Sequence, residues 1–417
     1  MTPRSFVAPF VLGLACSSLG CGSSEETSLV WDPDGGLASR DSGDLLPPGD
    51  AAAREDAAPA DAGASVEDSG SLVVDAGPRA IAPAGARAGE SALGAAPVAL
   101  NLAAGASAIF RVDAAPGEHV GSELTFAPTD LDVTLTLERW DGTAPRVLAT
   151  TDGGRGVRTI AGFDPAGART FWFVVKAGAR SVSNASFVVR RTPFEDGATC
   201  ALDCARLLQL PIRIDPRSDG YDHAASTIFR YQFGRRDLVM LTRHLGRTLA
   251  ARGYAPFVPE DLSQWNGETP GLDVGAPRHA SHQRGKDIDL SLYGADGLAP
   301  WRSYCRTTNT GDGRECVAGS ITNYDGFANA LLLGGYFASG RATMMFLDRE
   351  LIPATRAGAS TAIAQGRLPA SVSPSFTNGV ALQHWPNHDN HVHIRLTEAA
   401  YGTSGSEALI YEPFEAP

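Results

Sequence analysis

The sequence predicts an α+β fold, a central antiparallel sheet with flanking helices, preceded by an all-β sandwich. Three observations carry this. Short alternating apolar runs separated by Gly-rich turns fill 98–191. Apolar residues at three- and four-residue spacing follow from Arg236. The two periods do not interleave as repeated βαβ units would require. With 417 residues there is room for two domains and a tail. The boundaries read as 1–21, 22–96, 97–192 and 193–417.

Met1 to Cys21 has the layout of a secretory signal: an early Arg4, an apolar run from Phe6 to Cys16, then small residues. The run is too short to span a bilayer as a helix. Ser18-Leu19-Gly20-Cys21 resembles a bacterial lipoprotein cleavage box, with Ser18 where a large apolar residue is usual. It implies an exported chain, periplasmic or held at the outer membrane through lipid on Cys21. Plain signal cleavage nearby is the alternative.

From Gly22 to Pro97 fourteen Asp and Glu stand against four Arg, so most of the net charge of −12 lies here and about −2 remains for the rest. No basic footprint for nucleic acid is left. This stretch is rich in Ala, Asp, Gly, Ser and Pro, with Trp31 nearly its only aromatic residue. It reads as a disordered tether, or as a cleaved pro-segment.

The sandwich is expected in 97–192. Leu131, Val133, Leu135 and Leu137 alternate with Asp132, Thr134, Thr136 and Glu138 up to a turn at Asp141-Gly142. Phe171 to Lys176 and Ala185 to Arg191 are two further strands. Thr129 to Leu135 and Thr170 to Val175 resemble the pre-peptidase C-terminal-type domain found beside secreted bacterial peptidases. That resemblance leaves open a binder of wall or glycan and a plain spacer.

Cys200, Cys204, Cys305 and Cys316 are the cysteines beyond the leader. An even count in an exported chain reads as two disulfides, the short separations suggesting Cys200 with Cys204 and Cys305 with Cys316, with crossed pairings open. Helices are expected over Arg236–Arg252, stopped by Gly253, over Asp325–Phe337, capped by Asp325, and over Arg349–Arg356, with a strand at Met344–Leu347. His244 falls on the first helix and reads as an ordinary surface or core histidine.

Two short segments hold six of the nine histidines: His279, His282, His384, His388, His391 and His393. From Lys286 to Tyr293, Ile288, Leu290 and Leu292 alternate with Asp287, Asp289 and Ser291, the period of a half-buried strand. Val392, Ile394 and Leu396 alternate with His391, His393 and Arg395, so both imidazoles leave one strand face. Two such strands could aim His282, Asp289 and His393 at one point. Imidazole and carboxylate are ordinary zinc ligands, and three protein ligands plus water is the arrangement of a catalytic zinc.

His282-x6-Asp289 with His391-x-His393 is similar to the signature of the metallopeptidase group that includes lysostaphin and the D-Ala-D-Ala peptidases. His279-Ala280-Ser281-His282-Gln283 with Gly285, then Trp385, His388, His391, His393, Arg395 and Leu396, resembles the penicillin-insensitive murein endopeptidases over roughly Tyr221 to Leu396. The resemblance implies one zinc on His282, Asp289 and His393, His391 as general base, His388 in support, and hydrolysis of D-alanyl cross-links in peptidoglycan. Family members can carry an Asp-x-x-His pair tied to a second metal near the position of His279. No histidine lies between His282 and His384 here, so one zinc is expected, with His279 orienting a ligand or substrate. Asp287 competes with Asp289 as the ligating carboxylate, but only Asp289 gives the six-residue interval. A D,D-carboxypeptidase, an amidase and a non-catalytic wall-binding lipoprotein remain alternatives, since a fold and its motif do not set the bond cut.

Overall fold

The computed structural model describes residues 81–151, 156–164, 167–194, 200 and 203–397. The leader with Cys21 and most of the tether lie outside the described residues.

Nine strands form the first part: β1 (Glu90–Ala92), β2 (Val98–Leu102), β3 (Ser107–Ala114), β4 (Glu118–Thr125), β5 (Val133–Trp140), β6 (Pro145–Thr151), β7 (Val157–Gly162), β8 (Arg169–Ala177) and β9 (Val182–Pro193). They make two sheets, β1-β3-β8-β5-β6 and β2-β9-β4-β7. Val133, Leu135 and Leu137 of β5 are fully buried against Leu124, Ile160 and Phe187 of the facing sheet. Each such side chain contributes about 1.5–3 kcal/mol by leaving water.

The tether's boundary at 96 needs correction. β1 pairs in parallel with β3, and Ala82 packs on Trp140 and Trp172. Trp172 points away from the sandwich core and would be exposed without this cover; its indole N–H donates to Glu90 at 2.6 Å. Composition alone hides this, because the residues of this stretch in the Trp172 cluster are Ala82 and Ala86.

The second part contains β10 (Leu207–Gln209), α1 (Pro216–Asp219), β11 (Phe233–Arg235), α2 (Arg236–Ala251), β12 (Asp287–Ser291), β13 (Thr307–Thr310), β14 (Gly313–Cys316), α3 (Gly326–Ala338), β15 (Ala342–Leu347), α4 (Leu351–Ala364), α5 (Ser373–Thr377), β16 (Leu382–His384) and β17 (His391–Leu396). The described residues are mostly sheet, in several small sheets with few helices, an α+β arrangement. The sheet β12-β17-β15-β16 is antiparallel except for β15 and β16, which run parallel. The expected all-antiparallel sheet is therefore mixed at one edge. A parallel pair needs a long crossover, and α4 and α5 supply it.

α3 starts where expected: the Asp325 carboxylate accepts from Phe327 and Ala328 N–H at 2.9 Å. α4 runs eight residues past the expected end at Arg356. Its later contact surface is made of small residues, which give almost no apolar period. A Cβ on Gly358 would lie 2.1 Å from the Gly326 carbonyl, so the α3 and α4 backbones nearly touch there.

Ile288, Leu290, Val392 and Ile394 point from one sheet face into the core beneath the helices. The opposite face carries Asp287, Asp289, Ser291, His391, His393 and Arg395. It is not open, as a half-buried strand would leave it: every residue of β12 is buried. The segment 258–261 runs beside β12, with Glu260 N–H donating to Asp289 O and Ser291 N–H to Val258 O.

The two parts share buried contacts. Ile212 packs within the sandwich core, and His119 donates from Nε2 to Gln209 O at 2.8 Å. Both short disulfides, Cys200–Cys204 and Cys305–Cys316, are formed, which suits an oxidising, exported environment. Among the described residues no helix is long and apolar enough to cross a membrane.

Candidate metal centre

In the antiparallel pair β12 and β17, Asp289 lies directly opposite His393 and Ser291 opposite His391. His282 reaches the same polar face from a loop. Its backbone is left-handed, φ 66°, an uncommon state for a residue with a Cβ. Its N–H donates to Asp287 Oδ2 at 3.2 Å, which holds it there. Gly285, φ 67°, lets the loop pass: a Cβ would lie 2.7 Å from the Arg235 nitrogen.

The hydrogen bonds assign the tautomers. His282 donates from Nδ1 to Leu262 O at 2.9 Å, leaving a lone pair on Nε2. His393 Nε2 lies 3.2 Å from Asp287 Oδ1 and donates to it, leaving its lone pair on Nδ1. These two nitrogens are 3.0 Å apart. Asp289 Oδ1 is 3.1 Å from His393 Nδ1 and 3.3 Å from His282 Nε2. All three residues are buried, at most 3% exposed.

Three acceptors facing one another repel unless a cation sits among them. Ligands 2.0–2.1 Å from a tetrahedral zinc are about 3.3 Å apart, close to the three distances here. The residues therefore fit the ion in spacing and in chemistry. Burial pulls His393 down, but its bonds to Asp287 and Asp289 and their charges outweigh burial and push it up to about 9. Burial likewise works to raise Asp289, and the imidazoles around it hold it well below the usual carboxylate range.

Asp287 stands behind the His393 ring. It accepts from His393 Nε2, from Arg395 Nε at 2.6 Å and from the His282 N–H, so its carboxylate faces away from the three donors. Such a partner fixes which nitrogen of a ligating histidine meets the metal.

His279, His282 and Asp289 form a second, overlapping group that could hold a metal ion, with ligand atoms within 4.8 Å of one another. His279 Nδ1 is 3.9 Å from Asp289 Oδ2, its ring lies 4.2 Å from that of His282, and Nε2 is 2.9 Å from Asp261 Oδ2. The shorter distances favour His393 as the third ligand.

His391 donates from Nδ1 to Asn390 Oδ1 at 2.7 Å, which leaves Nε2 unprotonated 3.8 Å from Asp289 Oδ2. Burial pushes this imidazole down to about 4, against the pull of Asp289, so it is neutral at pH 7. Trp301 lies flat against it, ring centres 5.0 Å apart at 14°. His388 packs 4.6 Å from His391 and donates from Nδ1 to Pro386 O at 2.7 Å. Burial holds it well below the usual histidine range. His384 serves elsewhere, accepting the Arg349 N–H at 2.9 Å, and His244 stays on α2. Asp261 and Trp301, which the sequence reading did not assign, come from loops with no period to mark them. Asn390 adjoins His391 in sequence, which was its one available signal.

No protein family and no curated protein matches the chain. Some solved structures resemble part of it. A mitogen derived from Yersinia pseudotuberculosis matches at 15% identity and TM-score 0.20, over 22% of this chain and 82% of its own. The pre-peptidase C-terminal domain of a Bacillus anthracis collagenase matches at 10% and 0.20, over 24% and 92%. PliG of Aeromonas hydrophila, a periplasmic inhibitor of g-type lysozyme, matches at 14% and 0.20, over 25% and 96%. The chain is thus a weak structural neighbour of a pre-peptidase C-terminal domain, and at these scores the likenesses carry no argument about activity.

Proposed function

We propose that the chain is an exported zinc-dependent peptidoglycan hydrolase, a D-alanyl endopeptidase cutting stem-peptide cross-links. The observation that carries this reading is a ligand-spaced trio, His282, Asp289 and His393, with a neutral imidazole, His391, beside it. A pure binder has no need of such a base. When bound, zinc supplies a water whose pKa falls from 15.7 to about 7 and polarises the scissile carbonyl.

The chain's own groups do the rest. His391 Nε2 takes the proton of the attacking water and passes it to the leaving amine. Asn390 holds the opposite ring nitrogen protonated, so the accepting nitrogen faces the centre. Trp301 and His388 pack against the ring and restrict its rotation. His388 supports the base through this contact. His279, anchored by Asp261 and 27% exposed, lines the open side and orients substrate or a ligand.

The test is mass spectrometry of purified sacculi digested with the zinc-loaded protein. Loss of cross-linked dimers is expected. Loss of terminal D-Ala alone would make it a carboxypeptidase, and release of stem peptides from the glycan an amidase. No product at all would leave a wall-binding protein.

Asp287 gives a separate check. Asp287→Asn keeps the shape but weakens the acceptor behind His393, and zinc affinity should fall about 10- to 100-fold. Competition with a chelator measures it, with circular dichroism confirming the fold; an unchanged affinity would remove Asp287 from the site.

A further inference from the structure

Arg278 precedes His279 in the chain, and 42% of its side chain is open to water. An exposed arginine ordinarily moves among many rotamers, and fixing one costs side-chain entropy. This one is held at several points. Its N–H donates to Pro270 O at 2.9 Å. Its stem lies against Gly271, φ 87°, where a Cβ would come within 3.1 Å of Arg278 Cγ. Its guanidinium carbon lies 6.0 Å from the centre of the Tyr231 ring, which is itself fixed by donating its hydroxyl proton to Asp273 at 2.6 Å.

The guanidinium is anchored by one edge. Arg278 Nε lies 3.1 Å from Oδ2 of the buried Asp261, and His279 Nε2 lies 2.9 Å from that same oxygen. The guanidinium and the imidazole therefore stand side by side. On its other edge the imidazole borders the metal centre, His279 Nδ1 being 3.9 Å from Asp289 Oδ2. The two terminal nitrogens of Arg278 have no hydrogen-bond partner among the described residues. Their N–H groups form a fork that matches the two oxygens of a carboxylate. Because the side chain is already held, little more ordering is lost when such a group arrives.

Arg395 cannot play this part: it is buried, with Nε committed to Asp287 at 2.6 Å. Position also limits what Arg278 can reach. It stands one residue from a ring that borders a ligand carboxylate, so it meets the part of a substrate closest to the bond being cut.

We propose that Arg278 is a specificity-determining residue whose free edge receives a carboxylate carried next to the scissile amide. Peptides with a carboxylate on the carbon that bears the leaving amine are then taken in preference to those in which that group is a carboxamide. The assignment rests on the hydrolase reading and names the chemistry that its site selects.

The experiment uses two synthetic cross-linked peptide dimers, alike except that the carbon bearing the leaving amine carries a free carboxylate in one and a primary carboxamide in the other. With the zinc-loaded full-length protein, kcat/KM should be ~10- to 100-fold higher for the carboxylate dimer, the scale of a charge-assisted hydrogen-bonded pair. Arg278→Gln should lose most of this preference, and the loss should appear in KM. Arg278→Lys keeps the charge without the fork and should fall between the two. Asp261 keeps His279 as a partner in both variants, and thermal melts matching the parent protein show that they fold.

Calorimetry with the zinc-loaded His391→Ala protein reads the same selection without turnover. It should bind the carboxylate dimer more tightly, and adding Arg278→Gln should bring the two dimers to one affinity. Selective binding with no cleavage of either dimer by the parent protein would keep Arg278 as the carboxylate receptor and overturn the hydrolase reading alone. Equal binding of the two dimers, or a preference that survives Arg278→Gln, would overturn the role of Arg278.

Discussion

Replacing His393 with alanine should strip the metal and the turnover from this protein together. The reason is geometric. His393 Nδ1 lies 3.0 Å from His282 Nε2 and 3.1 Å from Asp289 Oδ1, and without it two donors remain from the trio. Two protein ligands fall short of the three that a catalytic zinc requires. Zinc measured by plasma mass spectrometry after dialysis should drop from about one ion per chain to background. Dimer release from sacculi should fall to the level of chelator-treated parent protein. His393→Ala also leaves the Asp287–Arg395 pair in place, so Asp287 keeps its charged partner, and circular dichroism should show the fold retained. Full zinc content in this variant would shift the third ligand to His279, whose Nδ1 lies 3.9 Å from Asp289, and would dismantle the assignment made here.

His391→Ala should produce the opposite pattern: zinc retained, turnover reduced ~10²- to 10⁴-fold, the usual scale of a general base. His391 Nε2 stands 3.8 Å from Asp289 Oδ2, beyond the spacing of the trio, and its Nδ1 is committed to Asn390. Its removal therefore takes away a proton acceptor and leaves the ion's donors untouched. Loss of zinc in parallel would make His391 a ligand. Unimpaired turnover with zinc in place would mean that some other group takes the proton, and His279, on the same open side, would be the next residue to test.

Much of the arrangement was legible in the letters, and the physical basis is simple. Alternation reports which side of a strand a residue leaves, so Asp289 and His393 could be put on polar faces before any coordinates. The cap at Asp325 and the stop near Gly253 were legible because helix ends use local chemistry. Three features were not. β1 carries no apolar pattern, since its strand adds backbone hydrogen bonds and a cover of small residues over Trp172. The later half of α4 is held by Gly and Ala contacts that leave no amphipathic signature. The parallel pairing of β15 with β16 depends on where a crossover lands.

By itself the sequence determined the elements that carry a local period or cap, such as β5, β12, β17, α2 and the start of α3, together with the cysteine separations and which residue types crowd into two segments, because these are properties of neighbours along the chain. Only the tertiary structure decided that Asp289 faces His393 across one rung of the sheet, that Asp287 stands behind that ring, and which nitrogen of each imidazole is left bare. Those outcomes hang on Leu262, Asp287 and Asn390, whose oxygens accept the protons of His282, His393 and His391. For His282 and His393 the accepting residue lies about 20 and 106 positions away in the chain, and no local pattern can specify a hydrogen bond that exists only after the chain has folded back on itself.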